Sequence, residues 1–479
     1  ILDEIYKFSP SEIICSPAFF SCGIPIEELR ERYHIAIAEL EKWYYDMELC
    51  EKALMDHFHT GTLTGLGLSE YTAGCAAAGA VLQYLLETQK NSLEQLTHIT
   101  PYATNRYMVL DTSTRRNLEL VETLREKTKR GSLLWVLDKT KTAMGARLMR
   151  NFIEQPLIDP EEICARYDAV EELNAQMITR DELREYLSAV YDLERLMGKV
   201  SYRSANPRDL LAFASSLTML PPIKCLLEEM ASSELRAIFS DLDPLGDLCD
   251  LIGRAIEPEA PISLTDGGII RAGYSEEVDV LKSAKTEGKN WIAEIEQRER
   301  EKTGIKNLRI KYNKVFGYYL EVTNSFKELV PADWTRKATT TGAERYITTE
   351  LKELEDKILN AEEKLTALEY ELFSQIREKI AGEVERIQRT AKAVAKLDVY
   401  ASLAFVAERG NFVRPRVNTD GIIEIREGRH PVVERMLEND AFVANDTYLD
   451  NDAHRLAIIT GPNMAGKSTY MRQTALIVL

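Results

Sequence analysis

Residues 455–479 constrain the fold more strongly than any other stretch of this 479-residue chain. Residues 455–460 are a short apolar run typical of a β-strand, and residues 461–468 follow directly with the pattern G-x-x-x-x-G-K-[ST]. Residues 469–479 continue with a helical pattern. This is the phosphate-binding loop pattern in the strand–loop–helix context that it requires. It predicts an α/β unit that binds a nucleotide.

Each constrained position of the loop has a chemical reason. Gly461 and Gly466 let the backbone bend so that its N–H groups converge on a phosphate. The N-terminus of the following helix adds the positive end of its dipole. Lys467 supplies a compact charge for the outer phosphates, and the Ser468 hydroxyl is a ligand for Mg²⁺. The predicted nucleotide-binding residues are Gly461, Pro462, Asn463, Met464, Ala465, Gly466, Lys467, Ser468 and Thr469.

Length, cysteine usage and charge indicate a multidomain protein with reduced thiols and without a predicted membrane span. The length predicts about three or four domains. No run of about 18 apolar residues is present, so the sequence predicts no membrane span. Seven scattered cysteines without Cys-x-x-Cys spacing favour reduced thiols in a cytoplasm. The formal net charge of −17 argues against nucleic-acid binding by the whole surface. The chain opens without Met and stops within a helical pattern, so we expect a fragment.

Two long helical patterns flank a short insert. They cover residues 276–303 and 350–410, and the second has apolar residues in alternating steps of three and four from Leu351 to Leu372. That spacing is a heptad seam. About 60 helical residues at 1.5 Å each predict a rod of roughly 90 Å. A rod with one apolar seam requires a partner, and the shorter helical pattern is the obvious candidate.

The insert, residues 305–349, is basic and has strand character. Residues 308–312 alternate apolar and basic side chains, and residues 315–322 predict a second strand after a turn at Asn313 and Lys314. Eight basic side chains stand against four acidic ones in this segment. Such a module can meet a phosphate backbone, although a solvated hairpin that caps a coiled coil explains it equally well. The candidate residues for contact with a nucleic-acid backbone, which the resemblance described below would make DNA-binding residues, are Lys306, Arg309, Lys311, Lys314, Arg336, Lys337 and Arg345.

Several segments together resemble the MutS family of DNA mismatch-recognition ATPases. They are residues 461–473, 111–120, 428–431, 312–319 and 343–346. These segments follow the order of the family over essentially the whole chain. Ala465 departs from the family pattern, since many members have glycine there, but alanine is small enough to leave the loop intact.

The resemblance implies a multidomain protein that is mainly α with α/β parts. Residues 1–107 would be part of a connector domain of ribonuclease-H-like fold. Residues 108–288 and 350–412 would form a helical core with long coiled-coil levers. Residues 289–349 would be a small β clamp on the DNA backbone, and residues 413–479 would begin an ABC-type P-loop ATPase domain that includes Walker A.

The resemblance also implies ATP and Mg²⁺ as cofactors. Phe442, which by itself could be a core residue, would stack on adenine, Asn463 would approach the phosphates, and Asn445 would join the nucleotide contacts. The Walker B carboxylates and the mismatch-reading domain of the family would lie outside residues 1–479. No catalytic set is therefore complete here, and we expect this chain alone neither to hydrolyse ATP nor to distinguish a mismatch.

The implied function is ATP-dependent binding of mismatched double-stranded DNA as a sliding clamp, which initiates repair. The family resemblance further implies a DNA-dependent ATPase that acts as a homodimer, has MutL as a partner, and works at the nucleoid of a bacterial cytoplasm. One alternative is a MutS-like paralogue that acts against recombination. Another is a coiled-coil scaffold with a degenerate nucleotide site, against which the intact Lys467 and Ser468 argue.

Overall fold

A computed structural model gives the architecture, in which helices dominate and short strands form small sheets. This confirms the predicted multidomain, mostly helical chain with sheet-containing parts. The described residues are 2–8, 10–31, 33–60, 62–89, 93, 95–97, 99, 106–313, 317–339, 342–437 and 441–479. The chain divides into two compact units. The first unit comprises residues 1–203, 215–246 and 383–479, and the second comprises residues 204–214 and 247–382.

The first hundred residues combine helices with a two-stranded parallel sheet. The elements in chain order are α1 (Leu2–Phe8), β1 (Glu12–Cys15), α2 (Ile26–Glu31), β2 (Ala36–Glu39), α3 (Met47–His57) and α4 (Thr72–Gln89). Helices α3 and α4 approach each other closely at Gly79, where an added Cβ would lie 2.4 Å from the Cβ of Cys50. The small side chains of α4 therefore permit this close helix packing.

Short helices follow over residues 106–256, and several begin at a polar cap. The side chains of Asp111, Ser132, Thr142, Asp159 and Asp192 each accept a hydrogen bond from a first-turn amide. Such caps satisfy amides that have no partner inside the helix. The helices are α5 (Thr112–Asn117), α6 (Leu133–Leu137), α7 (Ala143–Glu154), α8 (Pro160–Ala175), α9 (Met177–Ser188), α10 (Leu193–Ser201), α11 (Pro207–Leu217), α12 (Leu220–Leu227), α13 (Ser233–Asp241) and α14 (Gly246–Ala255).

The second unit contains a long helical pair with a small sheet inserted between its members. The elements are α15 (Glu276–Thr303), β3 (Arg309–Asn313), β4 (Gly317–Thr323), β5 (Thr335–Thr339), β6 (Ala343–Ile347) and α16 (Thr349–Ala381). The strands form one antiparallel sheet in the order β3-β4-β6-β5. Glu296 of α15 accepts the Ile310 amide at 2.8 Å, and Glu355 of α16 accepts the Tyr318 amide at 2.7 Å. Each helix thus holds one strand through a carboxylate.

Helices α15 and α16 run antiparallel, as the order of their ion pairs shows. Arg298 pairs with Glu350, Lys285 with Glu362 and Lys282 with Glu369. Ile295 of α15 forms a buried apolar cluster with Leu354 and Ile358 of α16. This cluster lies along the apolar seam between the two helices. The shorter helix is therefore the partner that the sequence predicts for the longer one.

The predicted single rod over residues 350–410 is wrong, because the helix breaks near Gly382. Helix α16 ends at Ala381, and α17 (Val384–Gly410) begins after Glu383, whose φ of −102° and ψ of 19° are not helical. Glycine costs about 1 kcal/mol relative to alanine inside a helix, so it is a weak point in a long one. The two helices also belong to different compact units.

Helix α17 is the central helix of the first unit and is buried along most of its length. Its Asp398 carboxylate accepts hydrogen bonds from the Lys141 amide at 2.9 Å and from the Thr142 amide and hydroxyl at 2.7 Å each. Gly145 lies directly against this carboxylate, since an added Cβ would be 2.3 Å from Oδ2. The buried acid therefore ties the start of α7 to α17.

The last part of the chain packs on the same core. Its elements are β7 (Ile423–Gly428), α18 (Val433–Met436), β8 (Asn445–Leu449) and α19 (Lys467–Val478), with β7 antiparallel to β8. Leu476 of α19 shares a buried cluster with Leu120, Val399 and Val432. The predicted strand over residues 455–460 is absent: these residues are exposed and form no regular element. A strand requires a hydrogen-bonded neighbour, and β7 and β8 pair only with each other within the described chain.

The structure also bears on the predicted reduced thiols and on the predicted absence of a membrane span. All seven cysteines are free thiols, as their spacing predicts. Within the described ranges, one helical stretch, Pro207–Leu227, is long and apolar enough to cross a membrane by length and composition alone. The same pattern is typical of a core helix, and Leu210, Phe213, Leu220 and Ile223 in this stretch are buried.

Candidate nucleotide and DNA sites

The predicted phosphate loop has the backbone conformation that its glycines permit. Gly461 has a φ of +150° and Gly466 a φ of +82°, both in the region that favours glycine. Met464 has a φ of +66° and a fully exposed side chain. The Ala465 amide donates to the Pro462 carbonyl at 3.4 Å, which closes the turn. Residues 461–466 are all exposed, so the loop is accessible to a ligand.

Lys467 folds back across this loop. Its Nζ donates hydrogen bonds to the Gly461 carbonyl at 2.8 Å and to the Pro462 carbonyl at 2.5 Å. An ammonium held on two backbone carbonyls lies at the mouth of the loop, where a phosphate would compete for it. This fits the role that the sequence predicts for the lysine.

Helix α19 begins at the loop with an open N-terminus. Gly466 occupies the cap position and offers no side chain to the first-turn amides. Such amides and the helix dipole favour an anion. Ser468 is exposed at this terminus, which fits a hydroxyl ligand for Mg²⁺. Over the described residues, no group of three or more His, Cys, Asp or Glu side chains could by itself hold a metal. Ser468 would therefore contribute one ligand among several.

Strand β8 lies beside α19 and begins with Asn445, which is a predicted nucleotide contact. The Thr447 hydroxyl lies 2.8 Å from the Tyr470 hydroxyl and 3.4 Å from the Thr474 hydroxyl. Asn445 begins this strand and donates from Nδ2 to the Val443 carbonyl at 2.9 Å. Phe442 is half-buried just before the strand. No hydrogen bond or ring contact joins Phe442 to the loop in the described part of the chain, so its stacking on adenine stays a prediction.

The turn that follows β7 supports α19, which sequence patterns alone did not indicate. An added Cβ on Gly428 would lie 2.9 Å from Nε2 of Gln473, a fully buried residue of α19. His430 is also buried, and its Nδ1 lies 3.3 Å from the Val432 amide and 3.2 Å from the Val433 amide. The Gly-Arg-His-Pro segment is therefore a rigid support for the helix that carries Lys467.

Three of the predicted DNA-binding cations are exposed and unpaired. Lys306, Arg309 and Lys337 form no ion pair with any residue that the structure describes. On β3, Arg309 and Lys311 point away from the sheet's core face, because Ile310 between them packs on buried Ile305, Leu308 and Leu320. A cation without a protein partner retains its full attraction for a phosphate.

The other predicted cations are partly neutralised. Lys311 pairs with Glu321 at 2.7 Å, and Arg345 lies 3.9 Å from the same carboxylate. Arg336 pairs with Glu344 at 3.3 Å. Lys314 lies outside the described residues. The predicted set is thus divided between exposed charges and charges engaged within the sheet.

Glu344 explains why Arg336 is engaged. Its carboxylate is buried and accepts hydrogen bonds from the Tyr346 hydroxyl and from Arg336, with Lys327 at 2.7 Å. The hydrogen bond from Lys327 is the main cause that lowers the pKa of Glu344. This cluster holds β5 and the segment before it against β6. Sequence spacing did not predict it, since it depends on the register of the sheet.

Sequence profiles of three domains match the chain. They are described as MutS domain II at residues 1–100, MutS domain III at residues 113–404 and MutS domain V at residues 457–479. The match to domain III alone covers more than half of the chain. All three occur in the order that the sequence resemblance predicts.

Relatives with assigned names match over the entire chain. A "DNA mismatch repair protein MutS" from Lachnoclostridium phytofermentans is 66% identical over 479 residues, which are 100% of this chain and 51% of the relative. Proteins of the same name are 52% identical in Ruminiclostridium cellulolyticum and 51% identical in Alkaliphilus metalliredigens, over 100% of this chain and 54% of each relative. The chain therefore spans about half the length of the curated relatives it matches.

Proposed function

The chain belongs to the MutS family, and from this premise we propose that it acts in recognition of mismatched double-stranded DNA and initiation of its repair. The observation that carries the proposal is the presence of two sites on one chain. One is a phosphate loop with Lys467 at its mouth, and the other is a small sheet that exposes Arg309 and Lys337. A protein with both sites can couple ATP to its hold on DNA. The relatives are named as mismatch repair proteins, which does not favour the alternative of an anti-recombination paralogue.

We assign the domains along the chain as follows. Residues 1–107 are part of a connector of ribonuclease-H-like fold. Residues 108–288 and 350–412 are the core with its coiled-coil levers. Residues 289–349 are the DNA clamp, and residues 413–479 are the start of an ABC-type ATPase domain. The antiparallel pair of α15 and α16, with the sheet between them, supports the lever and clamp assignments.

In the proposed ATP site, the loop amides and the α19 N-terminus bind phosphates. Lys467 exchanges its two carbonyl partners for the outer phosphates, and Ser468 gives one ligand to Mg²⁺. Asn463 approaches the phosphates, and Phe442 and Asn445 contact the nucleotide from the β8 side. Bound Mg²⁺ would neutralise charge that develops on the phosphates.

In the proposed DNA site, the exposed cations bind phosphates and carry no sequence information. Lys306, Arg309 and Lys337 supply the binding energy, while Lys311, Arg336 and Arg345 bind only if a phosphate replaces their carboxylate partners. The whole protein is proposed to act as a homodimer, to have MutL as its partner, and to work in the bacterial cytoplasm at the nucleoid.

The Lys467→Ala substitution tests the nucleotide site in the full-length protein. Losing a charge aimed at the transferred phosphate should lower the hydrolysis rate by roughly 100-fold or more. Phosphate release at saturating ATP measures this directly. Arg416→Ala is the matched control, because Arg416 is exposed and lies outside the loop. Equal hydrolysis by the wild type and Lys467→Ala would reject the site.

A further inference from the structure

A cleft of about 560 Å³ lies beside α19, in the first unit, and no predicted function uses it. One wall is the loop of residues 118–131, and the other is the turn of residues 430–437. Arg472 of α19 reaches into it. We call it the His430 cleft. Its volume lies within the range of about 300–1,000 Å³ that is usual for ligand sites.

His430 presents a hydrogen-bond donor to this cleft. The two backbone amides of Val432 and Val433 both point at Nδ1, so Nδ1 is the acceptor. A neutral imidazole with an accepting Nδ1 carries its proton on Nε2. His430 lines the cleft, and its printed hydrogen bonds over the described residues are those at Nδ1. The Nε2 donor is therefore free for a ligand that accepts a hydrogen bond.

The charged lining has a small positive excess. Arg125, Arg130 and Arg472 line the cleft together with Glu119 and Glu126. Glu119 is already engaged, because its Oε1 accepts the Leu124 amide at 2.7 Å and its Oε2 lies 3.5 Å from Arg472. Arg125 and Arg130 have no ion pair within the described ranges. The three arginines and two glutamates give the lining a net charge of +1, which would balance one negative charge on a ligand.

The remaining lining is apolar and aliphatic. Leu118, Leu124, Val432 and Val433 form the walls, and the half-exposed Met436 and Leu437 lie at the turn's end. Apart from the His430 ring, none of the described residues that line the cleft is aromatic and able to stack on a base. A polyphosphate would also meet the carboxylates of Glu119 and Glu126 with several negative charges. The lining therefore disfavours a second nucleotide and favours one carboxylate on an aliphatic body.

We propose that the His430 cleft binds a peptide segment of a partner protein in which one Asp or Glu is flanked by aliphatic residues. The carboxylate accepts hydrogen bonds from Nε2 of His430 and from Arg472, and the aliphatic neighbours pack on Leu124 and Val432. Because Arg472 belongs to the helix that begins at the phosphate loop, the partner would contact the nucleotide-binding element directly. This binding is separate from the proposed ATP and DNA sites.

The test uses the full-length protein and fluorescein-labelled, capped pentapeptides in fluorescence anisotropy titrations. The probes are Ala-Leu-Glu-Leu-Ala, its central Gln analogue and its central phosphoserine analogue. We expect the Glu peptide to bind about tenfold more tightly than the Gln peptide, as a charge-assisted hydrogen bond provides. We also expect the doubly charged phosphoserine peptide to bind no more tightly than the Glu peptide.

Two variants locate the binding in the cleft. His430→Asn retains an oxygen near the Nδ1 position for the two valine amides but removes the Nε2 donor, and Arg472→Gln removes the cation. Each should weaken the Glu peptide about tenfold, while Arg416→Gln, which removes an exposed charge elsewhere in the unit, should leave it within about twofold. If His430→Asn fails to fold, Arg472→Gln still decides the question.

Three results would overturn the proposal. They are equal affinity for the Glu and Gln peptides, tighter binding of the phosphoserine peptide, and unchanged affinity in Arg472→Gln. Absence of saturable binding at millimolar peptide would overturn it as well. ATP binding by the same preparations is measured in parallel, so a failure of the proposed nucleotide site is recorded separately.

Discussion

At the scale of single residues, His430 combines burial, two accepted hydrogen bonds and a neighbouring cation. Burial lowers the pKa of His430, and the charge of Arg472 lowers it further, while Glu119 acts in the opposite direction. A proton on Nδ1 would also break the contacts with the Val432 and Val433 amides. The folded first unit therefore favours the neutral ring.

This gives a pH dependence with a definite sign. Below about pH 6.5 the unfolded chain takes up a proton on His430 that the folded chain resists, so stability falls as the pH falls. We expect thermal unfolding of the wild type to shift to lower temperature between pH 7.5 and 5.5, and His430→Asn to shift less. His34→Asn, at an exposed histidine of the same unit, should shift as the wild type does. An identical shift in wild type and His430→Asn would contradict the expectation.

Single residues also mark what the sequence could and could not predict. The loop of residues 461–468 was predictable, because its glycines, lysine and serine are close in sequence and each has a chemical role. The pairing of Glu344 with Lys327 and Arg336 was not, since it requires the register that sets β5 against β6. Nor did spacing indicate that Gln473 fills the space that Gly428 leaves. Contacts between elements depend on the folded arrangement and leave no local pattern.

At the scale of elements, α7 and α17 are joined at Gly145 and Asp398. An alanine Cβ at position 145 would meet the Asp398 carboxylate at 2.3 Å and displace it from the Thr142 amide. Overpacking and a weakened buried carboxylate together should destabilise the first unit by about 3 kcal/mol. Differential scanning calorimetry of Gly145→Ala measures the loss.

A glycine in an open helical position is the matched control. Gly198 lies in α10, and an added Cβ would meet no heavy atom within 4 Å. Gly198→Ala should therefore leave the protein as stable as before or more stable by up to about 1 kcal/mol, through helix propensity. If Gly145→Ala unfolded at the same temperature as Gly198→Ala, the close contact with Asp398 would not be important for stability.

The sheet of β3 to β6 carries two kinds of cation: some are exposed, and others are paired with carboxylates of the sheet. Arg309 and Lys337 are exposed and unpaired among the described residues, so replacing both with Ala should weaken binding to matched and mismatched duplex alike. The slope of log affinity against log salt should become shallower by about 0.9 for each lost phosphate contact. Electrophoretic or anisotropy titrations of the full-length protein at several salt concentrations measure both quantities.

Arg298→Ala serves as the control for that double variant. It removes a cation from the same unit, but one that is paired with Glu350 on the helical pair. The salt slope should then stay close to that of the wild type. If the double variant changed only the preference for a mismatch and left the slope intact, the sheet would read DNA structure and would not be a phosphate clamp.

Helix lengths show the limits of periodicity as a predictor. The pattern over residues 276–303 predicted the bounds of α15. Ser275 caps the N-terminus of this helix, and Gly304 ends it in the left-handed conformation. The pattern over residues 350–410 did not reveal the break after Ala381, since the apolar spacing continues through Gly382. The strand predicted over residues 455–460 also did not form, because apolar content favours a strand but does not supply its hydrogen-bonding neighbour.

At the scale of the whole molecule, charge is distributed unevenly. The chain carries a net charge of −17, yet residues 305–349 have eight basic and four acidic side chains. The acidic remainder would repel DNA and the proposed clamp would attract it, so we expect binding to be confined to one place and to fall steeply with salt. Every predicted DNA contact in this chain is a Lys or Arg directed at the backbone.

Backbone contacts cannot distinguish a mispair from a paired site. Discrimination requires a side chain that reads base edges or a wedge that exploits the easier unstacking and bending of mispaired DNA. We therefore expect the 479-residue chain to bind a matched and a G·T duplex of equal length with the same affinity at two salt concentrations, with equal salt slopes. A preference above about tenfold, worth some 1.4 kcal/mol, would place recognition residues within this chain and would contradict a purely electrostatic clamp.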